Sequence, residues 1–227
     1  MIRLLLETAT DVCSVAVARD GVLLAEVTAP EVQQHASRLT LFVREALEQA
    51  GLTLSDVGEV VLSDGPGSYT SLRVGAATAK GLCLALPDLR LAVVPTLQSL
   101  ATAAPAGPAD RILATINSRR DEVYGQLFAM DTRTPETEVL NIRLKDPQWR
   151  GKLRAGAGLG RVWVCGPGQD RIQTALEHDN ALSYGEPGTA AARHLIAPAP
   201  RRPDVAAYEP FYLNPPFVTR SKKKPLL

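Results

Sequence analysis

Asp64-Gly65-Pro66-Gly67-Ser68-Tyr69-Thr70-Ser71-Leu72-Arg73 is the segment that most restricts the fold of this chain. It follows a short β-compatible run, residues 59–63, and leads into a helix read over Leu72 to Leu86. Strand, glycine turn and helix in that order belong to α/β architecture. Thr70 or Ser71 is available as the helix cap. The free N–H groups and positive dipole end of such a helix suit an anion or a phosphate. The same glycines also serve a turn that packs the helix closely onto its sheet, and both readings fit the residues. The segment is neither GxGxxG nor GxxxxGK followed by Ser or Thr, and no lysine follows directly to meet a terminal phosphate.

Around that turn the chain alternates strand and helix signals. Residues 2–6 form an apolar, leucine-rich run that reads as a buried strand; residues 12–18 alternate, and Asp20-Gly21 turns the chain into a third strand, residues 22–28. After Pro30 the period changes. Leu39, Val43, Ala46, Leu47 and Ala50 recur at three and four, and Gly51 ends the stripe. Leu41 and Phe42 widen it enough for a second packing surface or for a broad core face. In the helix after the glycine turn, Gly75, Ala76, Ala77, Ala79 and Gly81 lack bulk. The glycines there cost helix stability, which a sequence accepts where another backbone must come close. A strand at residues 91–94 and a helix capped by Thr96 complete a first lobe, residues 1–103.

Residues 103–110, AAPAGPAD, read as a linker into a second lobe, residues 104–227. It opens with two strands joined by a charged turn, passes through irregular sequence over residues 131–161, and continues with the strand RVWVCG and short helices near residues 170–176 and 189–196. The strand-then-helix order of the first lobe returns in reduced form, and the tail TRSKKKPLL reads as a frayed basic end.

A formal net charge of +1 gives no long-range attraction to nucleic acid. Neither a secretory signal nor a span long enough for a bilayer is read in the sequence. Cys13, Cys83 and Cys165 are far apart and set in apolar sequence, which favours buried free thiols and a cytoplasmic setting. His35, His178 and His194 offer no metal-ligand spacing, and Ser68 sits outside a GxSxG elbow. Glu7 and Asp11, in the turn after the first strand, are the only acidic groups placed to hold a magnesium ion and a phosphate, with Gly65 and Gly67 as backbone candidates. A second phosphate turn would have to come from the other half. Asn117-Ser118-Arg119-Arg120 is basic, and Gly166-Pro167-Gly168 has no carboxylate pair beside it.

The opening residues 2–17, the segment Gln34-His35-Ala36-Ser37-Arg38-Leu39, the stretch Gly51–Asp56 and GPGSYTSLRVGAATAKGL together resemble the TsaB (YeaZ) family. In the second half Asp121-Glu122-Val123-Tyr124 and Pro210-Phe211-Tyr212-Leu213 are similar to it. The resemblance implies the actin-like ATPase (ASKHA, RNase-H-like) fold, an α/β design of two lobes of mixed sheet flanked by helices, the second reduced. It implies a non-catalytic partner of the TsaD catalytic subunit in threonylcarbamoyl modification of the adenosine beside the tRNA anticodon. A TsaE-type ATPase, ATP or ADP and tRNA join through the complex, with a homodimer through the same helices when the partner is absent. The partner surface it implies is the first two helices, with His35, Leu39, Phe42, Val43, Leu72, Gly75, Ala76 and Ala79 as contact residues. Glu7 stands where the family commonly has Asp, Ser71 where Gly is usual, and Asn214 where Arg follows Tyr-Leu. The competing reading is a small ATP-dependent kinase or hydrolase of the same superfamily, and a third is a peptidase.

Overall fold

A computed structural model describes residues 1–28, 35–146, 148, 149, 151, 160–176 and 179–214, with side chains from Arg38 onward in the first helix. The first sheet contains β1 (Ile2–Glu7), β2 (Ser14–Arg19), β3 (Val22–Thr28), β4 (Glu59–Ser63) and β5 (Arg90–Val94), in the order β3-β2-β1-β4-β5. β1, β4 and β5 run parallel, whereas β2 and β3 are antiparallel additions. The β2–β3 turn uses Asp20 and Gly21, both at positive φ, as a hairpin with right-handed strand twist requires.

Helices cover one face of this sheet and an irregular segment covers the other. α1 (His35–Gln49) and α2 (Tyr69–Ala85) lie on the side where β1 presents Leu4 and Leu6 and β2 presents Val15 and Val17. α1 buries Leu39, Phe42, Val43, Ala46 and Leu47 there, the stripe of a helix with one core face. On the opposite face β2 presents Ala16 and Ala18, small enough for a 3-10 turn at Ala192–Leu195 to pack closely through Ala192 and Leu195. Covered on both sides, β1 and β4 are continuously apolar through their centres, Leu4 to Leu6 and Val60 to Leu62.

The second sheet repeats the plan. β6 (Arg111–Asn117), β7 (Glu122–Ala129), β8 (Leu140–Arg143), β9 (Val162–Cys165) and β10 (Leu182–Tyr184) are ordered β8-β7-β6-β9-β10. Again the first, fourth and fifth strands of the set are parallel and the second and third antiparallel. Strand number is therefore complete, and the reduction lies in length: β8 to β10 have three or four residues each, and α4 (Gln169–Ala175) has seven. α3 (Thr96–Ala103) packs Leu97, Leu100 and Ala101 with Ile112, Ala114 and Phe128, so it belongs to the core of the second sheet.

Local corrections follow from geometry. Ser68, not Thr70 or Ser71, caps α2, its Oγ accepting from the Ser71 N–H at 3.5 Å. Pro95 holds the cap position of α3 and Thr96 is its first residue. The helix expected at residues 189–196 is only the 3-10 turn, and the irregular stretch 131–161 contains β8. His178 and the tail 219–227 lie outside the described residues.

Candidate functional site

The two sheets bring the turn after β1 and the turn after β6 to face each other across a cleft of about 330 Å³. Its first-lobe wall is Ala9, Thr10, Asp11, Val12 and the start of α2 at Gly67–Tyr69; its second-lobe wall includes Asn117, Ser118, Arg119, Tyr124 and Arg171. Tyr212, Leu213 and Asn214 close one side. Tyr69 and Tyr212 have ring centroids 4.8 Å apart, and the Arg73 guanidinium lies 4.2 Å over the Tyr69 ring. Both tyrosines lie in segments the sequence singles out, but residues 69 and 212 are far apart in the chain, so their meeting was not read from it.

Of the four residues expected to meet a nucleotide, two reach the cleft. Asp11 lines it, and so does Gly67. Gly67 also lies against β1's turn: the Ser68 N–H donates to Ala9 O at 2.7 Å, and a β-carbon on residue 67 would stand 2.8 Å from the Ala9 β-carbon. Gly65, at φ +105°, lies against the carbonyl of Phe211, whose own N–H donates to Asp64 O at 2.7 Å. Packing thus accounts for both glycines. Glu7 is buried behind the turn, its Oε1 accepting the Ala9 N–H at 2.7 Å while Oε2 has no partner. Burial pushes its carboxyl up to about 7, against the opposing pull of the Ala9 N–H.

These side chains do not fit a magnesium–nucleotide group. Asp11 is the only carboxylate among the described residues that line the cleft, and Glu7 is turned into the core. On the second-lobe side, Arg171 spends its Nη1 on three carbonyls of the β6–β7 turn, Ser118, Arg120 and Glu122, at 2.6–3.2 Å. Asp121, the nearest acid in sequence, pairs outward with Lys145 at 2.6 Å. No three His, Cys, Asp or Glu side chains gather in one place among the described residues.

The second feature is the outer surface of α1 and α2. Seven of the residues expected to contact a partner need separate treatment from His35, whose side chain lies outside the described residues. Leu39, Phe42, Val43, Leu72, Gly75, Ala76 and Ala79 are all buried within the lobe itself. Gly75 is glycine because Thr8 Oγ1 and the Leu62 δ-carbon occupy the space where a side chain would go. Seven of the eight contact residues that the resemblance implies are thus already packed inside the lobe. The outward positions of α2 include Arg73, Ala77, Gly81 and Leu84, with Leu84 76% exposed, and α1 turns Leu41 outward at 46%. An apolar groove of about 410 Å³ runs between the helices over Val43, Leu47, Leu52, Leu54 and Leu82.

Two five-stranded sheets of one strand plan, facing each other across a cleft between their first hairpins, define a protein of the actin-like ATPase fold, α/β and two-lobed. A family model described as TsaD, tRNA N6-adenosine threonylcarbamoyltransferase, matches residues 23–137. The tRNA threonylcarbamoyladenosine biosynthesis protein TsaB of Haemophilus influenzae is 32% identical over 80% of this chain and 70% of its own length. The protein of the same description from Escherichia coli is 35% identical over 56% of this chain, which spans about half its length, 55%. The solved structure of YeaZ from Pseudomonas aeruginosa superposes with a TM-score of 0.69 at 26% identity, covering 86% of this chain and 88% of that one. The chain belongs to the TsaB family.

Proposed function

We propose that this chain is a non-catalytic scaffold for a TsaD-type catalytic subunit, required for threonylcarbamoyl modification of the adenosine at position 37 of tRNA. The observation that carries the proposal is the outer face of α1 and α2. Leu41, Ala77, Gly81 and Leu84 are exposed and not needed by the chain's own core, and an apolar groove over Val43, Leu47, Leu52, Leu54 and Leu82 opens between the same two helices. Small residues there let a second helix approach to backbone contact, and the exposed leucines supply anchors. A symmetric homodimer uses the same face when the partner is absent. The division into residues 1–103 and 104–227 belongs to this reading, with the docking helices in the first lobe.

The cleft supports the non-catalytic part. A kinase or hydrolase of this fold needs carboxylates on both turns to hold a metal, and only Asp11 is present among the described lining residues. ATP or ADP therefore belongs to the assembled complex, with a TsaE-type ATPase and tRNA joining through the catalytic subunit in the cytoplasm. Reconstitution with purified catalytic subunit, ATPase and synthase tests the reading. Modified tRNA forms only when this chain is added, and the chain alone turns over no ATP. Leu84→Arg leaves the fold intact and weakens the heterodimer roughly 30-fold, the effect of losing one anchor worth ~2 kcal/mol. Equal product with and without the chain overturns the assignment.

A further inference from the structure

Residues 201–214 run along the first lobe and end at the second. Arg201 pairs with Val93 through both backbone groups, at 2.8 and 2.9 Å. The Arg201 side chain reaches the Asp64 carboxylate at 2.9 Å, and Arg202 reaches the buried Glu59 at 2.7 Å. Lys80, on α2, donates to Ala206 O at 3.1 Å and to Tyr208 O at 3.0 Å. Tyr208 is buried in the first-lobe core, its hydroxyl donating to Asp64 at 3.0 Å. A few residues later Tyr212 meets the Tyr69 ring at a tilt at the start of α2, Leu213 packs against the second-lobe core, and the Asn214 amide donates to the Tyr124 hydroxyl at 3.0 Å. One short segment thus touches the middle of α2, the first turn of α2, both cores and the cleft.

We propose that this segment is a strut that couples the interlobe cleft to the placement of helix α2, with Asp64 as its socket and Lys80 and Asn214 as positioning residues at its two ends. The DGPGS turn is then built for the chain's own strut: Asp64 takes Arg201, Tyr208 and the Phe211 N–H, and Gly65 admits the Phe211 carbonyl. A change in cleft width moves Asn214 and Tyr212, and through Tyr69 and Lys80 it moves α2. Where α2 carries the docking face, which rests on the function proposed above, partner binding and cleft geometry are linked.

Amide hydrogen exchange on the full chain tests the strut without a partner. Lys80→Met removes the α2 end and Asn214→Ala removes the cleft end; Tyr124→Phe repeats the second change from the opposite side, should Asn214→Ala fold poorly. Loss of a hydrogen bond worth ~1 kcal/mol raises local opening about fivefold. With a strut, Lys80→Met speeds exchange by about that factor in residues 212–214 and 117–119 as well as at 206–208. Asn214→Ala and Tyr124→Phe do so in α2 around Lys80. Changes confined to the altered end overturn the proposal. The heterodimer with the catalytic subunit separates the two ideas. Coupled exchange with unchanged affinity in Asn214→Ala keeps the strut and removes α2 as the docking face. Confined exchange with an intact heterodimer removes the strut and keeps the docking face.

Discussion

Glu7 ends β1 fully buried, and glutamine at that position separates its charge from its shape. The unfolded chain holds this carboxyl near its ordinary 4.5, whereas burial in the fold raises it to about 7. Between those values the folded state binds the extra proton, so stability is greatest at the acid end of the window and falls as pH rises through it. The full charging cost above pH 7 is ~3 kcal/mol. Glu7→Gln keeps an acceptor for the Ala9 N–H and carries no charge. Its amide nitrogen takes the place of Oε2, which has no hydrogen-bond partner, and that offsets ~1 kcal/mol of the gain. The expected result is equal stability of the two proteins at pH 5 and a variant more stable by ~2 kcal/mol at pH 8. Urea unfolding followed by tryptophan fluorescence at pH 5, 6, 7 and 8 measures it. Parallel stability profiles over that range would refute the reasoning, since a group that titrates with folding must make them diverge.

Gly67→Ala brings a β-carbon to 2.8 Å from the Ala9 β-carbon, an overpacking expected to cost ~1–3 kcal/mol and to lower Tm by about 3 °C for each. Gly81→Ala is the control: nothing lies within 4 Å, and better helix propensity raises stability by up to ~1 kcal/mol in the same thermal scan. Burial pushes the thiols of Cys13 and Cys165 up to about 11 and about 12, and that of Cys83 upward as well. All three are free, so an aromatic disulfide reagent at pH 8 reacts only after denaturation, then with three equivalents. Prompt reaction of the native protein would contradict that burial.

Much of the first sheet was legible because its strands carry local signals. Leu4 to Leu6 make an apolar run, Asp20-Gly21 is a hairpin turn, and Leu39 to Leu47 keep a helical period. β8 and β10 escaped because runs of four and three residues, partly exposed, lack a pattern to set them apart from loop. The cleft was half legible. Asp11 and Gly67 sit in a recognisable turn, but Tyr69, Tyr124 and Tyr212 meet only through tertiary structure. On α2 the sequence shows that small residues are present and not which way they face. Gly75 and Ala79 point at the sheet, and Ala77 and Gly81 point away, though all four serve close approach.

Because Val205 and Tyr208 complete the first core, and Arg202 and Arg201 neutralise the enclosed Glu59 and Asp64, the first lobe is not finished when its last strand is made. During synthesis the chain from Met1 to Ala103 leaves the ribosome with a Tyr-sized gap beside α2. Arg3 alone faces Glu59, and nothing yet answers Asp64. Closure waits for about a hundred further residues, so vectorial synthesis delivers the second lobe before the first becomes native. Truncation before residue 201 is therefore expected to destabilise the lobe at the other end of the chain.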